Sequence, residues 1–160
     1  MNYPAKNRII RGGQHLTRKQ TIAYVLLLGA AMALIPFTID PFLPSFPAIA
    51  NYFGVDSRLI QLSLTSVTVG FAVGQLIIGP LSDAYGRRGP LLVVTGLFVV
   101  STIAVVFSPT AEIFILLRLL MGMSAAAAVV IAQAIVRDLF SGMSQMKMLA
   151  RTYLIQGAAP

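Results

Sequence analysis

Long apolar runs that carry no charge alternate with short polar segments along this 160-residue chain. Three runs extend over Gln20 to Ile39, Leu59 to Ser82 and Gly89 to Ala111, and a fourth, Ile113 to Val136, is interrupted only by Arg118. A helix needs about 20 mostly apolar residues to cross a bilayer. The pattern therefore predicts four membrane-spanning helices.

Prolines and polar residues between the runs set the predicted domain boundaries. We expect an all-α fold, a polytopic membrane helix bundle in which residues 1-20 form a cytoplasmic basic leader and residues 21-160 form the bundle. The spans are predicted at about 21-44, 59-81, 90-107 and 112-136, and an incomplete fifth begins at 152. They are joined by an outer segment, a tight turn, a very short outer link and an interfacial connector: Ser45 to Arg58, Ser82 to Gly89, Ser108 to Ala111 and Leu139 to Ala150. The very short link makes the third and fourth spans antiparallel neighbours.

The last apolar segment, Thr152 to Pro160, is too short to cross a bilayer. With a helical rise of about 1.5 Å per residue it extends about 14 Å, half of a hydrocarbon core about 30 Å thick. We therefore expect an N-terminal fragment of a longer membrane protein.

The composition excludes a water-soluble enzyme. The chain is 57% hydrophobic and 11% charged, whereas soluble domains carry about 25% charged residues. It has no cysteine, and its single histidine, His15, lies in the leader, where we expect a solvated residue and not a ligand or base. Because the sequence offers neither a nucleophile-base pair nor a metal-binding set, we predict no enzyme activity, no metal site and no cofactor.

The net charge of +7 is distributed so that it orients the chain in a membrane. Outside the spans, only Arg58 falls in a segment predicted to be external. The other basic residues lie in the leader, in the turn between the second and third spans, or after the fourth span: Lys6, Arg8, Arg11, Arg18, Lys19, Arg87, Arg88, Arg137, Lys147 and Arg151. The positive-inside rule therefore predicts a cytoplasmic N-terminus, and the charge does not require a nucleic-acid partner.

A secretory signal is an alternative interpretation of the N-terminus. A basic leader and an apolar run precede Ala31-Met32-Ala33, which resembles a small-residue cleavage site. The leader is long for a signal, however, and the apolar run continues through Leu34 and Phe37. We therefore favour a retained first span.

Small residues predict where the helices pack closely. Gly70 and Gly74 form a small-xxx-small pair in the second span, and Ser124 to Ala128 give the fourth span a narrow face. Both patterns suit close helix contact in lipid, although ordinary membrane-helix composition is the alternative explanation.

Two ionisable residues, Asp40 and Arg118, fall inside predicted spans. Placing such a charge at the centre of a membrane helix costs about 2.5-3.5 kcal/mol on insertion scales, so it marks a candidate functional site. The helical rise places Asp40 about 28 Å along an outward-running helix and Arg118 about 9 Å along an inward-running one. Both are therefore predicted in the outer half of the membrane.

Two explanations of this common depth are open. In one, both side chains face a central cavity and tune each other's charge, with Phe37, Ile39 and Phe42 as candidate lining residues. In the other, each side chain snorkels to the outer interface. Four prolines lie near Asp40: Pro36, Pro41, Pro44 and Pro47. They favour the cavity, because irregular backbone in a membrane needs protein or water to satisfy it. Pro44 and Pro47 also suit a helix end.

The turn GPLSDAYGRRGPLL, which begins at Gly79, joins the second and third spans. Gly79 is expected to admit a neighbouring helix, and Gly86 to adopt the left-handed conformation of a tight reversal. Asp83 is expected to pair with Arg87 or Arg88, or to lie against a helix N-terminus. Such a contact at the edge of a bundle would lock one conformation.

This turn resembles the loop signature of the major facilitator superfamily, G-x-L-[AS]-D-[RK]-x-G-R-[RK]-x-x-L, except that Ala84 replaces a basic residue. The segment RLLMG, which begins at Arg118, is similar to the fourth-helix signature R-x-x-Q-G, with Met121 in place of glutamine. IDPFLPSFPAIA, from Ile39, and AIVRDLF, from Ala134, narrow the resemblance to the Bcr/CflA-type drug-resistance transporters.

The resemblance covers Thr21 to Pro160 and implies the first part of a twelve-helix, proton-driven multidrug exporter of a bacterial inner membrane. It implies that Asp40 is the acid of the first helix and that Arg118 acts in proton coupling. It also implies that Asp138 joins Asp83 and Arg87 in a cytoplasmic charge network, although a solvated interfacial residue is the alternative. The implied partners are protons, a small drug-like molecule and the lipid bilayer; the implied state is a monomer.

Two other functions stay open at this point. One is a proton-linked solute importer of the same superfamily, and the other is a truncated membrane interaction protein that transports nothing. The apolar composition of the expected drug site and the missing helices leave the substrate undefined.

Overall fold

A computed structural model describes residues 17–158, and these form helices joined by short links. Most of the predicted leader, including Lys6, Arg8, Arg11 and His15, lies outside the described residues. The elements are α1 (Arg18–Ile39), a 3₁₀ segment (Asp40–Ser45), α2 (Phe46–Phe53), α3 (Ser57–Tyr85), α4 (Arg88–Val106), α5 (Ala111–Leu139) and α6 (Gly142–Gly157). Within residues 17–158 there is no strand, so the all-α prediction is confirmed.

Four helical stretches are long and apolar enough to cross a membrane: Lys19–Phe53, Ser57–Tyr85, Arg88–Val106 and Ala111–Leu139. Helices α3 and α5 begin one or two residues before the predicted spans, because a polar cap starts each helix ahead of its apolar run. The side chain of Asp56 accepts a hydrogen bond from the Arg58 amide at 2.7 Å, and this cap starts α3. The side chain of Thr110 likewise caps α5.

The first helix begins within the predicted leader of residues 1-20, whose cytoplasmic location stays a prediction. Helix α1 begins at Arg18, because Thr17 and Gln20 form a capping box in which each side chain accepts from the other's backbone amide. Polar capping residues therefore belong to the helix although they precede the apolar run.

The helical path of the first span continues past residue 44, and the predicted outer segment is mostly helical. The chain continues from α1 through the 3₁₀ segment into α2, which ends at Phe53 before Gly54 with a φ of 65°. Proline does not stop this path because Pro41 and Pro47 each lie in the first turn of a new helical segment, where no backbone N–H donor is needed.

Helix α6, which contains the predicted fifth span, begins at Gly142 and not at residue 152. The predicted connector, residues 139-150, is less apolar than the predicted spans. Hydropathy indicates whether a segment contacts lipid, but it does not report whether the segment is helical. Methionine, glutamine and lysine are good helix formers, so this segment is helical without being apolar. Its buried face includes Met148, which packs in one core cluster with Met32 of α1.

Helix α5 is the centre of the bundle and packs against α1, α3 and α4, while α6 packs mainly on α1. The short link Phe107–Thr110 makes α4 and α5 antiparallel neighbours, as predicted. Large apolar side chains cover the outside of the bundle, as expected for contact with lipid, and they include Leu76, Leu92, Val100 and Leu116.

Glycines bring α3 and α5 into backbone contact. A Cβ atom at Gly70 would meet the Leu119 carbonyl, one at Gly74 would meet the backbone of Met123, and one at Gly122 would lie 2.5 Å from the Val67 carbonyl. The predicted close packing at Gly70 and Gly74 is thus confirmed. Residues 124-128 are also buried, as predicted.

The predicted role of Gly79 is wrong. A Cβ atom at Gly79 would lie 3.9 Å from Val130 Cγ1, which is an ordinary van der Waals distance. Alanine would therefore fit at this position. The close approach of α3 and α5 is confined to the seam around Gly70 and Gly74.

Candidate functional site

Arg118 is fully buried, with 0% of its surface exposed, in the segment of α5 that faces the proline-rich end of α1. Its Nη1 donates to the Thr38 carbonyl at 2.7 Å, and its Cζ lies 3.7 Å from the centre of the Phe42 ring. Phe42 is thus positioned for a cation–π interaction. We call Thr38, Phe42, Arg118 and Met121 the Arg118 site.

The change from α-helix to 3₁₀ helix makes the Thr38 carbonyl available to Arg118. In a 3₁₀ turn this carbonyl would accept from the amide of residue 41, but Pro41 has no N–H. The Thr38 hydroxyl donates within its own helix to the Leu34 carbonyl at 2.6 Å. The proline sequence therefore provides an acceptor for a buried cation from backbone alone.

Met121, which stands where the family signature has glutamine, makes a weak polar contact with Arg118. Its Sδ lies 3.7 Å from Arg118 Nη1, one helical turn away. A thioether sulfur is a weak acceptor, so this contact replaces only part of what glutamine would supply.

Asp40 lies at the level of the Arg118 site but is exposed on the surface of the described helices. Arg118 contacts Thr38 and Phe42, which lie on either side of Asp40 in the sequence. Asp40 and Arg118 therefore share one depth, as the helical rise predicts. Within residues 17–158 no ion pair joins Asp40 to Arg118. A mutual tuning of the two charges stays a prediction.

Aromatic rings surround one side of the Arg118 site. Phe42 and Phe53 lie 6.3 Å and 5.7 Å from the Phe114 ring of α5, measured between ring centres. Of the predicted lining residues, Phe42 makes the cation–π contact with Arg118, whereas Phe37 is half exposed and Ile39 is partly buried. Their role in lining a cavity stays a prediction.

The C-terminal ends of α3 and α5 meet at a second polar group, away from the Arg118 site. We call it the Arg87 cluster, and it consists of Ser82, Asp83, Arg87 and Asp138. Arg87 forms an ion pair with Asp83 and a second one with Asp138, where Nε and Oδ2 are 2.9 Å apart. Its Nη1 also donates to the Ser82 hydroxyl at 2.7 Å. The contact of Asp138 with Arg87 that the resemblance implies is therefore present, and its role as a gate stays a prediction.

Arg87 is held as a cation by its neighbours. Partial burial lowers its pKa, but the hydrogen bonds and negative charges of Asp138 and Asp83 outweigh this effect and raise the pKa above its ordinary value. Arg87 therefore bridges α3 and α5 as a permanent charge.

The tight reversal next to this cluster depends on Gly86. Its φ of 82° and ψ of 161° fall in a region that only glycine adopts readily, so glycine is needed here as predicted, although the conformation is more extended than the predicted left-handed one. The reversal turns Arg87 back toward Asp83, whereas Arg88 points outward and is exposed.

Two polar groups of these sites escaped sequence reasoning, the Thr38 carbonyl and the Ser82 hydroxyl, and outside both sites so did the buried side chain of Ser63. Ser63 carried a signal, because Ile60, Ser63 and Val67 continue the buried spacing of Gly70 and Gly74 along α3. The Thr38 acceptor carried none, since it depends on a change of helix type.

Comparison with known proteins identifies the family to which these helices belong. A family model described as Major Facilitator Superfamily matches residues 24–160. The chain belongs to the major facilitator superfamily. It is therefore assigned to a family of multi-pass membrane transporters and not to an enzyme family.

Individual relatives confirm the resemblance to drug-resistance transporters. The chain is 43% identical over 144 residues to the uncharacterized MFS-type transporter YdgK of Bacillus subtilis, covering 90% of this chain and 36% of that protein. It is 37% identical to a bicyclomycin resistance protein homolog of Haemophilus influenzae, covering 89% of this chain and 36% of the relative. It is 38% identical to a chloramphenicol resistance protein of Pseudomonas aeruginosa, covering 82% of this chain and 32% of that protein. The chain thus spans about a third of the length of these curated relatives.

Proposed function

We propose that this chain supplies the first helices of a proton-coupled antiporter that exports small amphipathic drugs across a bacterial inner membrane. In this proposal the N-terminus is cytoplasmic, the complete transporter is a monomer, and the proton gradient is the only driving force. The proposal deepens the family assignment, since relatives in the same superfamily are named for resistance to bicyclomycin and chloramphenicol.

The observation that carries the proposal is a fully buried arginine at the level of an exposed acid within membrane helices. Arg118 is stabilised by a backbone carbonyl and an aromatic ring and by no acid among residues 17–158. Such a charge is costly, so its presence points to a function. Asp40 is exposed on the described helices, so a proton can reach it from a water-filled cavity between the two halves of a transporter.

In the proposed mechanism Asp40 carries the proton and Arg118 supplies a fixed positive field. When Asp40 is ionised, its attraction to Arg118 favours one arrangement of the cavity; when it is protonated, that attraction is lost. A drug and a proton would then compete for the same side of the cavity. The Arg87 cluster would stabilise one conformation by tying the far ends of α3 and α5 together.

Proteoliposomes test this proposal most simply. The longest open reading frame that carries this chain is reconstituted, a pH gradient is imposed, and movement of a fluorescent amphipathic cation is followed. We expect gradient-driven movement in the wild type and its loss in Asp40→Asn. Asp56→Asn is the matched control, because asparagine caps a helix as well as aspartate does and this residue lies outside the proposed cavity.

Each result has a distinct meaning. Equal gradient-driven movement in wild type and Asp40→Asn overturns the role of Asp40. Movement in the opposite direction, compared in inside-out and right-side-out vesicles, favours an importer. A wild type that moves no substrate under any gradient favours a membrane protein without transport activity.

A further inference from the structure

Ser63 differs from the other buried serines and threonines in the described part of the chain. Its hydroxyl has no hydrogen-bond partner although its surface is 0% exposed. The other buried serines and threonines all donate to a backbone carbonyl: Thr21, Thr38, Ser82, Ser101, Ser108, Ser124 and Thr152. Because a buried polar group without a partner is costly, Ser63 requires an explanation.

Arg118 has unused hydrogen-bonding capacity of the complementary kind. Nη1 is occupied by the Thr38 carbonyl, but Nε and Nη2 are buried and have no partner. These two atoms form one edge of the guanidinium group, and both are donors, whereas arginine has no acceptor. The edge therefore needs an oxygen atom.

The packing of α3 on α5 places the two groups on the same helix seam. The helices run in the same direction, because Ser66 reaches Ile115, and Gly74, further along α3, meets Met123, further along α5. Val67 touches Gly122. Ser63 lies one turn before Val67, and Arg118 lies one turn before Gly122, so this contact places the two residues on facing sides of α3 and α5, within reach of the long arginine side chain.

We propose that Ser63 is the α3 partner of Arg118 and that its hydroxyl oxygen accepts a hydrogen bond from the free guanidinium edge, directly or through one bound water. The hydroxyl hydrogen then donates to a carbonyl of α3. Rotation of a small side chain between staggered positions is enough to redirect the oxygen. Ser63 is thus a positioning residue, which fixes the orientation of the charge that Arg118 presents toward α1.

The consequence for transport rests on the proposed function. If Arg118 sets the field at Asp40, loosening Arg118 changes the pH at which Asp40 exchanges its proton. A serine that served only to fill space would leave this pH dependence unchanged. The pH profile of transport therefore distinguishes positioning from packing.

An experimental structure of the wild-type protein, at a resolution that shows ordered water, tests the contact directly. We expect Ser63 Oγ within about 2.7–3.2 Å of Arg118 Nε or Nη2, or one water within that distance of both residues. The first result assigns a direct hydrogen bond and the second a water bridge. Neither contact being present overturns the proposal.

A double-mutant cycle tests the contact in solution, using the unfolding midpoint in detergent. Ser63→Ala should lower the midpoint by about 2 °C in the wild-type background and have little effect in the Arg118→Met background, because the donor edge is then gone. Ser101→Ala, a buried serine whose hydroxyl donates within α4, should have the same effect in both backgrounds. An equal effect of Ser63→Ala in both backgrounds contradicts the pairing, and if Arg118→Met does not fold, the wild-type structure decides.

Transport in proteoliposomes completes the test. Ser63→Ala should shift the pH of half-maximal transport, whereas Ser101→Ala should not. An unshifted profile in Ser63→Ala overturns the positioning role. A wild type without proton-driven transport refutes the proposed function instead, and the mutant cycle still tests the contact.

Discussion

The Arg118 site and the Arg87 cluster differ in how the protein satisfies an arginine. Arg87 lies at the surface between two carboxylates and a hydroxyl, and the side chains of Asp83 and Asp138 are 63% and 51% exposed. Arg118 is fully buried and is held by a carbonyl, a ring and a sulfur atom. The first arrangement is inexpensive and adjustable, whereas the second is costly and depends on the surrounding helices.

This difference suggests separate tasks for the two regions. Exposed ion pairs contribute little stability, about 0–1 kcal/mol, and can be broken and remade when helix ends move. A buried cation is removed from water at a cost that its neighbours must offset, so it is kept where the charge itself is needed. The Arg87 cluster therefore suits a contact that changes between conformations, and the Arg118 site suits a fixed charge.

The largest effect is expected from a change in the seam that positions both regions. Gly70→Leu places a side chain against the Leu119 carbonyl and the Met123 backbone, which cannot move aside as a flexible side chain would. Overpacking of this kind costs about 1–3 kcal/mol and occasionally more. We expect a reduced yield of monodisperse protein on size-exclusion chromatography and a lower unfolding midpoint.

Gly96→Leu is the control for the seam. A Cβ atom at Gly96 has open space around it on α4, so this variant should behave as the wild type does. If both variants give the same yield and unfolding midpoint, α3 and α5 do not pack as described, and this seam does not position the Arg118 site and the Arg87 cluster.

An intermediate effect is expected at the Arg118 site. Phe42→Leu removes the ring that lies over the guanidinium group, an interaction worth about 0.5–2 kcal/mol. The unfolding midpoint should fall, and it should fall more than in Phe37→Leu, because Phe37 is half exposed and the cation–π contact of Arg118 is with Phe42. Equal shifts in the two variants would show that the ring acts through apolar packing alone.

The smallest effect is expected at the Arg87 cluster. Asp138→Asn removes one of two carboxylates from Arg87 and should cost about 0.2–1 kcal/mol at low salt. The difference from the wild type should shrink at high salt, because exposed charges are screened. Arg88→Gln, at an exposed position outside both ion pairs, is the control; a salt-independent loss in Asp138→Asn would contradict a surface ion pair.

Much of the fold follows from patterns that the sequence carries locally. Charge-free runs define α3, α4 and α5, because a bilayer requires length and apolarity whatever the neighbouring helices are. The spacing of Gly70 and Gly74 predicts the contact with α5, since only small residues let two backbones approach so closely. The common depth of Asp40 and Arg118 follows from helical rise.

Other features depend on contacts that no local pattern encodes. Helix α2 was missed because prolines suggest a helix end, yet they also fit a first helical turn. The start of α6 was missed because its residues are only moderately apolar, and their burial depends on α1. The pairing of Arg118 with the Thr38 carbonyl depends on the 3₁₀ segment, and the isolation of the Ser63 hydroxyl depends on how α3 packs against α5.

The most direct test of the account is the release of protons when a drug binds to the purified transporter in weakly buffered detergent solution. If Asp40 is the proton carrier, the wild type releases protons on binding, Asp40→Asn binds the drug without release, and Asp56→Asn behaves as the wild type does. Undiminished proton release in Asp40→Asn would contradict the central claim and move the coupling site to another residue of the transporter.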